Sequence, residues 1–269
     1  MSEEVKIPVV IDGKVFYNDK FHLGLKECQD SGFRAWFIPE IEDLRSISDK
    51  ESFIWQKWHA SPSVRVTGQT KGGNNVVAYA HVPNYFSNPQ NIEKAIKEGL
   101  ENGAGHYPEK QFYKLLDMED GANVFVIDYD ALKNSESGVM SISEAMKHPQ
   151  TIAFIGGKER TEKYLDQHEK VVGKKIGNYH SDDLHDKPFG RPLVVGNFSN
   201  SGYLLGDYNF NGDGRFDGVP VSAEGATREK TRISPLEKLA GKATNAGDGI
   251  LVIKREQLTD TEYNLLTRK

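Results

Sequence analysis

The sequence predicts an α+β protein with a mixed or antiparallel sheet, and three observations carry that prediction. Residues 63–67 alternate in the period of a strand and residues 76–81 return as their partner. Ile92, Ala95, Ile96 and Leu100 recur at helical spacing. Helical and extended stretches come in mixed order along the 269 residues, without the strict alternation of a doubly wound parallel sheet.

From the N-terminus, Asp12-Gly13 lies between Val9-Val10-Ile11 and Lys14-Val15-Phe16-Tyr17. That pairing suits a tight primed turn, whose residues need positive φ, and predicts a hairpin. Asn18 or Asp19 caps a helix through Leu25 to Gln29, stopped by Gly32. Residues 33–37 read as a short strand. Pro39 opens a helical stretch with Ile41 and Leu44, and a second one carries Phe53, Ile54, Trp55 and Trp58. The second hairpin turns at 71–74. Ser87-Asn88-Pro89 then gives a cap and a first-turn proline to the amphipathic helix, and a further helix spans 109–117. Strands are predicted at 124–127 and 151–155, with Gly156-Gly157 leading into a helix over 158–171. From 178 to 221 the chain is rich in Gly, Asn and Asp, with strands at 193–196 and 216–221. A loop at 222–232, a helix at 235–242, a strand at 250–254 and a helix at 259–266 complete the chain. Residues 120 and 175 are places for a subdivision, but neither looks like a linker, so one interwoven domain over 1–269 is expected.

The formal charge of −5 comes from 34 basic and 39 acidic residues mixed along the chain. Such a balance gives no reason to expect strong nonspecific attraction to nucleic acid or to an anionic membrane. The apolar runs are strand-length, too short to span a bilayer. A single cysteine, Cys28, excludes an internal disulfide framework, and the first residues lack a signal-peptide pattern. A cytoplasmic protein is expected.

The sharpest chemical signal is the acidic turn at 209–217. Counting Asn209 as position 1 puts side-chain oxygens at Asn209, Asn211, Asp213 and Asp217, a glycine at position 6, and the backbone carbonyl of Arg215 at position 7. Calcium takes six to eight oxygens, and a sharp glycine turn lets alternate residues converge on it. The segment resembles the Asx-x-Asx-x-Asp-Gly loops of EF-hand, dockerin and FG-GAP proteins, with FG-GAP nearest in texture. The resemblance implies a structural calcium ion. It departs from the EF-hand and dockerin pattern at position 12, where Pro220 stands in place of an acidic residue.

Other residues suggest reaction chemistry. His180 opens a run of five ligand-type residues ending at Asp186, and Asp128 follows a buried-type strand. Arg65, Tyr79 and His81 sit on the second hairpin, a face able to hold an anionic ligand with histidine as acid or base. Gly156 and Gly157, between a predicted strand and helix, offer backbone N–H groups to a phosphate. His81, Asp128 and His180 are thus the catalytic candidates, and Arg65, Tyr79, Gly156 and Gly157 the ligand-binding ones. Together they favour a hydrolase or transferase acting on an anionic or phosphorylated small molecule. A second reading fits the lack of a known catalytic constellation. In it the protein is a non-catalytic binding or assembly protein, its Gly/Asn-rich C-terminal region a metal-stapled recognition surface for a small-molecule or protein partner.

Overall fold

In the computed structural model the described residues are 4–8, 14–133, 137–181, 184, 186–198, 201–221, 244–245 and 250–254. They form an α+β fold around one large mixed sheet.

Strand β2 (Lys14–Asn18) lies at one end of that sheet, followed in space by β12 (Gly214–Pro220), β4 (His59–Gln69), β10 (Phe189–Phe198), β11 (Ser201–Leu205), β9 (Lys175–Tyr179) and β8 (Gly138–Ser141). Strand β3 (Phe33–Ala35) also pairs with β12, β5 (Asn75–Ala80) joins β4 to β7 (Val124–Asp128), and β6 (Gly105–His106) adds to β10. A small separate sheet joins β1 (Glu4–Pro8), β14 (Ile250–Lys254) and β13 (Thr244–Asn245). The large sheet runs across both places where the sequence could have divided, since β7 and β9 each pair within it.

The expected hairpin of β4 and β5 forms, with Val64 opposite Ala80 and Gln69 opposite Asn75. The hairpin expected at Asp12-Gly13 differs. Strand β2 takes β12 as its partner and β1 takes β14, while residues 9–13 lie outside the described residues. The loop and helices expected at 222–232, 235–242 and 259–266 lie outside them too.

Alternation along the strands splits the core into two layers. Val64, Val66, Ala78 and Ala80 face one way, against α1 (Phe21–Asp30), α4 (Pro89–Glu98) and α5 (Glu109–Leu116). Val77, Tyr79, Leu193 and Val195 face the other. There they meet α2 (Ile38–Ile47), α3 (Phe53–Gln56), α6 (Tyr129–Lys133), α7 (Ile142–Ala145), α8 (Pro149–Ile155) and α9 (Lys158–Val171). Asn88 caps α4 as read from sequence, its side chain accepting the Gln90 N–H at 2.9 Å, with Pro89 in the first turn. Helix α1 lies close on β12 because residue 24 is glycine: a Cβ there would stand 2.9 Å from the Gly214 carbonyl.

One element changes type. Residues 151–155, expected as a strand, belong to helix α8, opened by Pro149 and closed by Gly156 in the left-handed region at φ 97°. Gly156 and Gly157 therefore join two helices. Both their N–H groups donate to the Ile152 carbonyl, and the Gly156 carbonyl accepts Arg160 Nη1 at 2.6 Å. The phosphate cradle expected there is thus occupied by helix-end bonds.

Candidate recognition surface

The Gly/Asn-rich stretch becomes strand β11, a loop at 206–213 and the start of β12. Main-chain bonds hold the loop. Gly206 N–H donates to the Tyr179 carbonyl at 2.7 Å, Phe210 N–H to Gly103 at 3.1 Å, and the Gly212 carbonyl accepts the Phe21 N–H at 2.8 Å. Phe210 plugs the core, ringed by Phe21 and Phe86. Around these anchors Asp207, Asn209 and Asn211 are exposed, and Tyr203 and Tyr208 half-buried.

Beside the loop stands an aromatic cluster. Trp58 lies 6.5 Å from Tyr17 and 6.3 Å from Tyr208 between ring centroids. Both tyrosine hydroxyls donate to Asp213, Tyr208 to Oδ1 at 2.6 Å and Tyr17 to Oδ2 at 3.3 Å. Burial first, then the Asp213 bond, pushes the Tyr208 hydroxyl pKa up. The bond to Asp19, ahead of Asp213, does the same for Tyr17. Next to Tyr17 a shallow groove of about 470 Å³ is lined by Lys14, Val15, Glu27, Asp30 and Ser31 among others. Tyr17 stands on β2, whereas Trp58 precedes β4 and Tyr208 belongs to the loop.

The residues expected to hold calcium point to separate partners. Asp213 accepts the two tyrosines, and Asn209 Oδ1 accepts Arg191 Nη1 at 3.1 Å. Asp217 is buried on β12 and bonds His59 Nδ1, while His59 Nε2 donates to the Ile54 carbonyl at 3.1 Å. Asn211 faces solvent and Arg215 pairs opposite Tyr17 on β12. Among the described residues no three His, Cys, Asp or Glu side chains gather as a metal site. The donor set does not fit calcium as it stands.

The catalytic candidates are scattered. Asp128 is exposed and accepts the Ala131 N–H at 3.1 Å, a helix-capping role. His81 is buried, bonded to Ser63 Oγ at 3.0 Å and to the Ala153 carbonyl at 2.8 Å. Burial first of all lowers its pKa to about 4, so the ring is neutral. Because Val76 pairs with Asp128 and Ala80 with Val124, His81 and Asp128 sit at opposite ends of one strand pair, roughly 16 Å apart at strand rise. His180 instead lies beside Arg65 and His148. Arg65 Nη2 donates to the Ser181 carbonyl at 3.0 Å, and burial, then Arg65 and His148, lowers the His180 pKa to about 4. Sequence reading missed Tyr17, Trp58 and Tyr208 as one group, since pairing of β2 with β12 brings them together.

A solved structure described as "Accommodation of massive sequence variation in Nanoarchaeota by the C-type lectin fold" matches this chain at 47% identity and TM-score 0.73. The match covers 77% of this chain and 97% of that one. The chain belongs to the C-type lectin fold family. No family model and no curated protein matches it.

This membership corrects two expectations. The 209–217 segment is a loop and strand of a C-type lectin fold, not an EF-hand, dockerin or FG-GAP loop. The hydrolase or transferase reading gives way to a binding one, in keeping with the scattered catalytic candidates. Calcium is common in C-type lectin folds and so compatible with this architecture, although the loop side chains do not converge on it. No helix among the described residues is long and apolar enough to cross a membrane.

Proposed function

We propose that this C-type lectin fold protein binds a partner through a recognition surface made of β11, the 206–213 loop and the Tyr17–Trp58–Tyr208 cluster, and that the exposed part of this surface tolerates changes of sequence. The observation that carries the reading is the composition of residues 197–213. Eleven of these seventeen residues are Asn, Gly, Ser or Tyr, the set that antibody paratopes use for rigid aromatic contact and adaptable hydrogen bonding. The backbone anchors described above explain the tolerance, because Asp207 and Asn211 hang from a loop whose shape does not depend on their side chains. The broad, shallow form of the surface favours a protein partner over a small molecule. A cytoplasmic address stays part of the proposal, supported by a lone thiol, Cys28, that is buried and pushed up to about 12 chiefly by burial.

A display library randomised at the exposed Asp207 and Asn211 tests this. Most members are expected to fold, and selection against an unrelated protein is expected to yield binders that lose binding on Trp58→Ala. Widespread unfolding of the library, or binders indifferent to Trp58, would overturn the proposal. Repeating the selection with a calcium chelator separates a calcium-dependent surface from the metal-free one favoured here. Calcium at 209–217 would require Asp213 to release both tyrosines and Asp217 to release His59.

A further inference from the structure

The three rings beside the 206–213 loop come from separate parts of the chain, and one carboxylate ties two of them together. Tyr208 and Tyr17 occupy both oxygens of Asp213, and the Tyr17 hydroxyl is shared with Asp19 Oδ1 at 3.1 Å. The Tyr208 hydroxyl is also seated against Gly212, where a Cβ would stand 2.9 Å from it. Trp58 meets Tyr17 at 78° and Tyr208 at 36° between ring planes, so the rings are angled to one another rather than stacked. They can be reached from solvent. Tyr17 is 53% exposed, and of the three tryptophans Trp36 and Trp55 are buried while Trp58 is not.

Among the described residues neither Asp213 nor Asp19 has a lysine or arginine within salt-bridge distance. Arg215 stands opposite Tyr17 on β12, yet the cations that lie over rings are elsewhere: Lys14 on Phe16, Arg34 on Phe37, Arg45 on Trp55 and Lys71 on Tyr113. The face of an aromatic ring is negative, and here carboxylates at the tyrosine hydroxyls add to that potential. Asp207, exposed on the same loop, carries charge of the same sign. An anion would be repelled by rings and carboxylates alike, and a neutral side chain would gain nothing from the charge. We infer that Tyr17, Trp58, Tyr208 and Asp213 form the seat for a cationic side chain of the partner protein, arginine before lysine, an inference that rests on the recognition surface proposed above. Arginine comes first because its planar guanidinium stacks on aromatic faces and is more weakly hydrated than an ammonium. The formal charge of −5 favours encounter with a basic partner in the same sense.

Titration of the full chain with N-acetyl-arginine amide and with its neutral citrulline analogue, at matched ionic strength, tests the seat. The readout is the Trp58 indole N–H signal in a heteronuclear NMR spectrum, identified by its loss in Trp58→Phe. The arginine compound is expected to move that signal along a saturating curve, and the citrulline compound to leave it in place. Removing one ring in Tyr17→Leu should weaken the arginine compound about two- to fivefold, and Asp213→Asn should weaken it as well. Equal movement with arginine and citrulline would overturn the inference, as would an arginine curve that both variants leave unchanged. Should Asp213→Asn fail to fold, Tyr17→Leu decides, since it replaces an exposed ring. No partner protein enters the titration. A flat arginine curve therefore removes the cationic seat alone, because binders that need Trp58 would still uphold the recognition surface.

Discussion

The loop at 206–213 and strand β12, which follows it directly, are neighbours in sequence that commit their side chains to very different degrees. Main-chain bonds to Tyr179, Gly103 and Phe21 fix the loop, with Phe210 as its one fully buried side chain. Strand β12 is paired with β2, β3 and β4 and locked further by its side chains: Phe216 is 0% exposed in a cluster with Phe21, and Asp217 bonds His59 at 2% exposure. Where the backbone sets the shape, exposed side chains are free to serve recognition. Where side chains set it, they are committed to the fold. The two ways of holding the chain meet at Gly214, and breaking either one tests the contrast.

The largest effect is expected at Phe216. Its ring lies 4.9 Å from Phe21 between centroids, and cutting a buried phenylalanine to alanine costs about 3–5 kcal/mol. Phe216→Ala should therefore unfold at much lower denaturant in a chemical melt. A loss below about 1 kcal/mol would mean that the pairing with β2, β3 and β4 holds the strand without Phe216.

Acid should act on the buried scaffold next. His81, His168 and His180 are each pushed down to about 4, in every case first by burial. An unfolded chain takes up those protons near pH 6.5 while the folded one does not until about 4, so folded stability falls as pH drops through that window. Glu42 works against this. Burial, partly opposed by Arg45, raises it to about 7, so its contribution is full below its unfolded value and is lost as pH rises through 7. Three histidines outweigh one carboxyl, and Tm should fall below pH 6.5. Among the described residues His168 has no hydrogen-bond partner on either ring nitrogen, and it packs against Trp55 and Tyr164. His168→Leu should flatten the acid limb, by at most about 1.4 kcal/mol for each pH unit between the unfolded and the folded ring's titration. An acid limb of unchanged slope would show that His168 is not held neutral.

How much of this was legible follows the range of the interactions. The α4 cap at Asn88 and the β4–β5 hairpin rest on residues close in sequence, and both were readable. Residues 151–155 were not, because a seven-residue buried helix opened by Pro149 leaves an apolar run with no period to separate helix from strand. The pairing of β2 with β12 joins residues 196 apart at Tyr17 and Asp213. Nothing local in Asp12-Gly13 could announce that pairing. The partners of the loop oxygens were illegible for the same reason: Tyr17, Arg191 and His59 reach Asp213, Asn209 and Asp217 from distant strands. Arg65 and Tyr79 were readable as a hairpin face, but Arg191, opposite Arg65, came from a strand more than a hundred residues on.

The smallest effect separates two asparagines inside the loop itself. Asn211 is exposed, and substituting a surface position of that kind typically changes stability by less than about 0.5 kcal/mol. Asn209 is also exposed, yet its oxygen accepts from Arg191 and its side chain is seated against Gly103. Losing that charged hydrogen bond should cost about 1.5–3 kcal/mol. Asn211→Lys should thus melt with the parent, while Asn209→Lys melts below it. Equal melts would show that Arg191 does not need Asn209, and that the boundary between free and committed side chains lies nearer Gly214. A drop at Asn211 as large as that at Asn209 would move the boundary the other way and remove the tolerance on which the recognition surface rests.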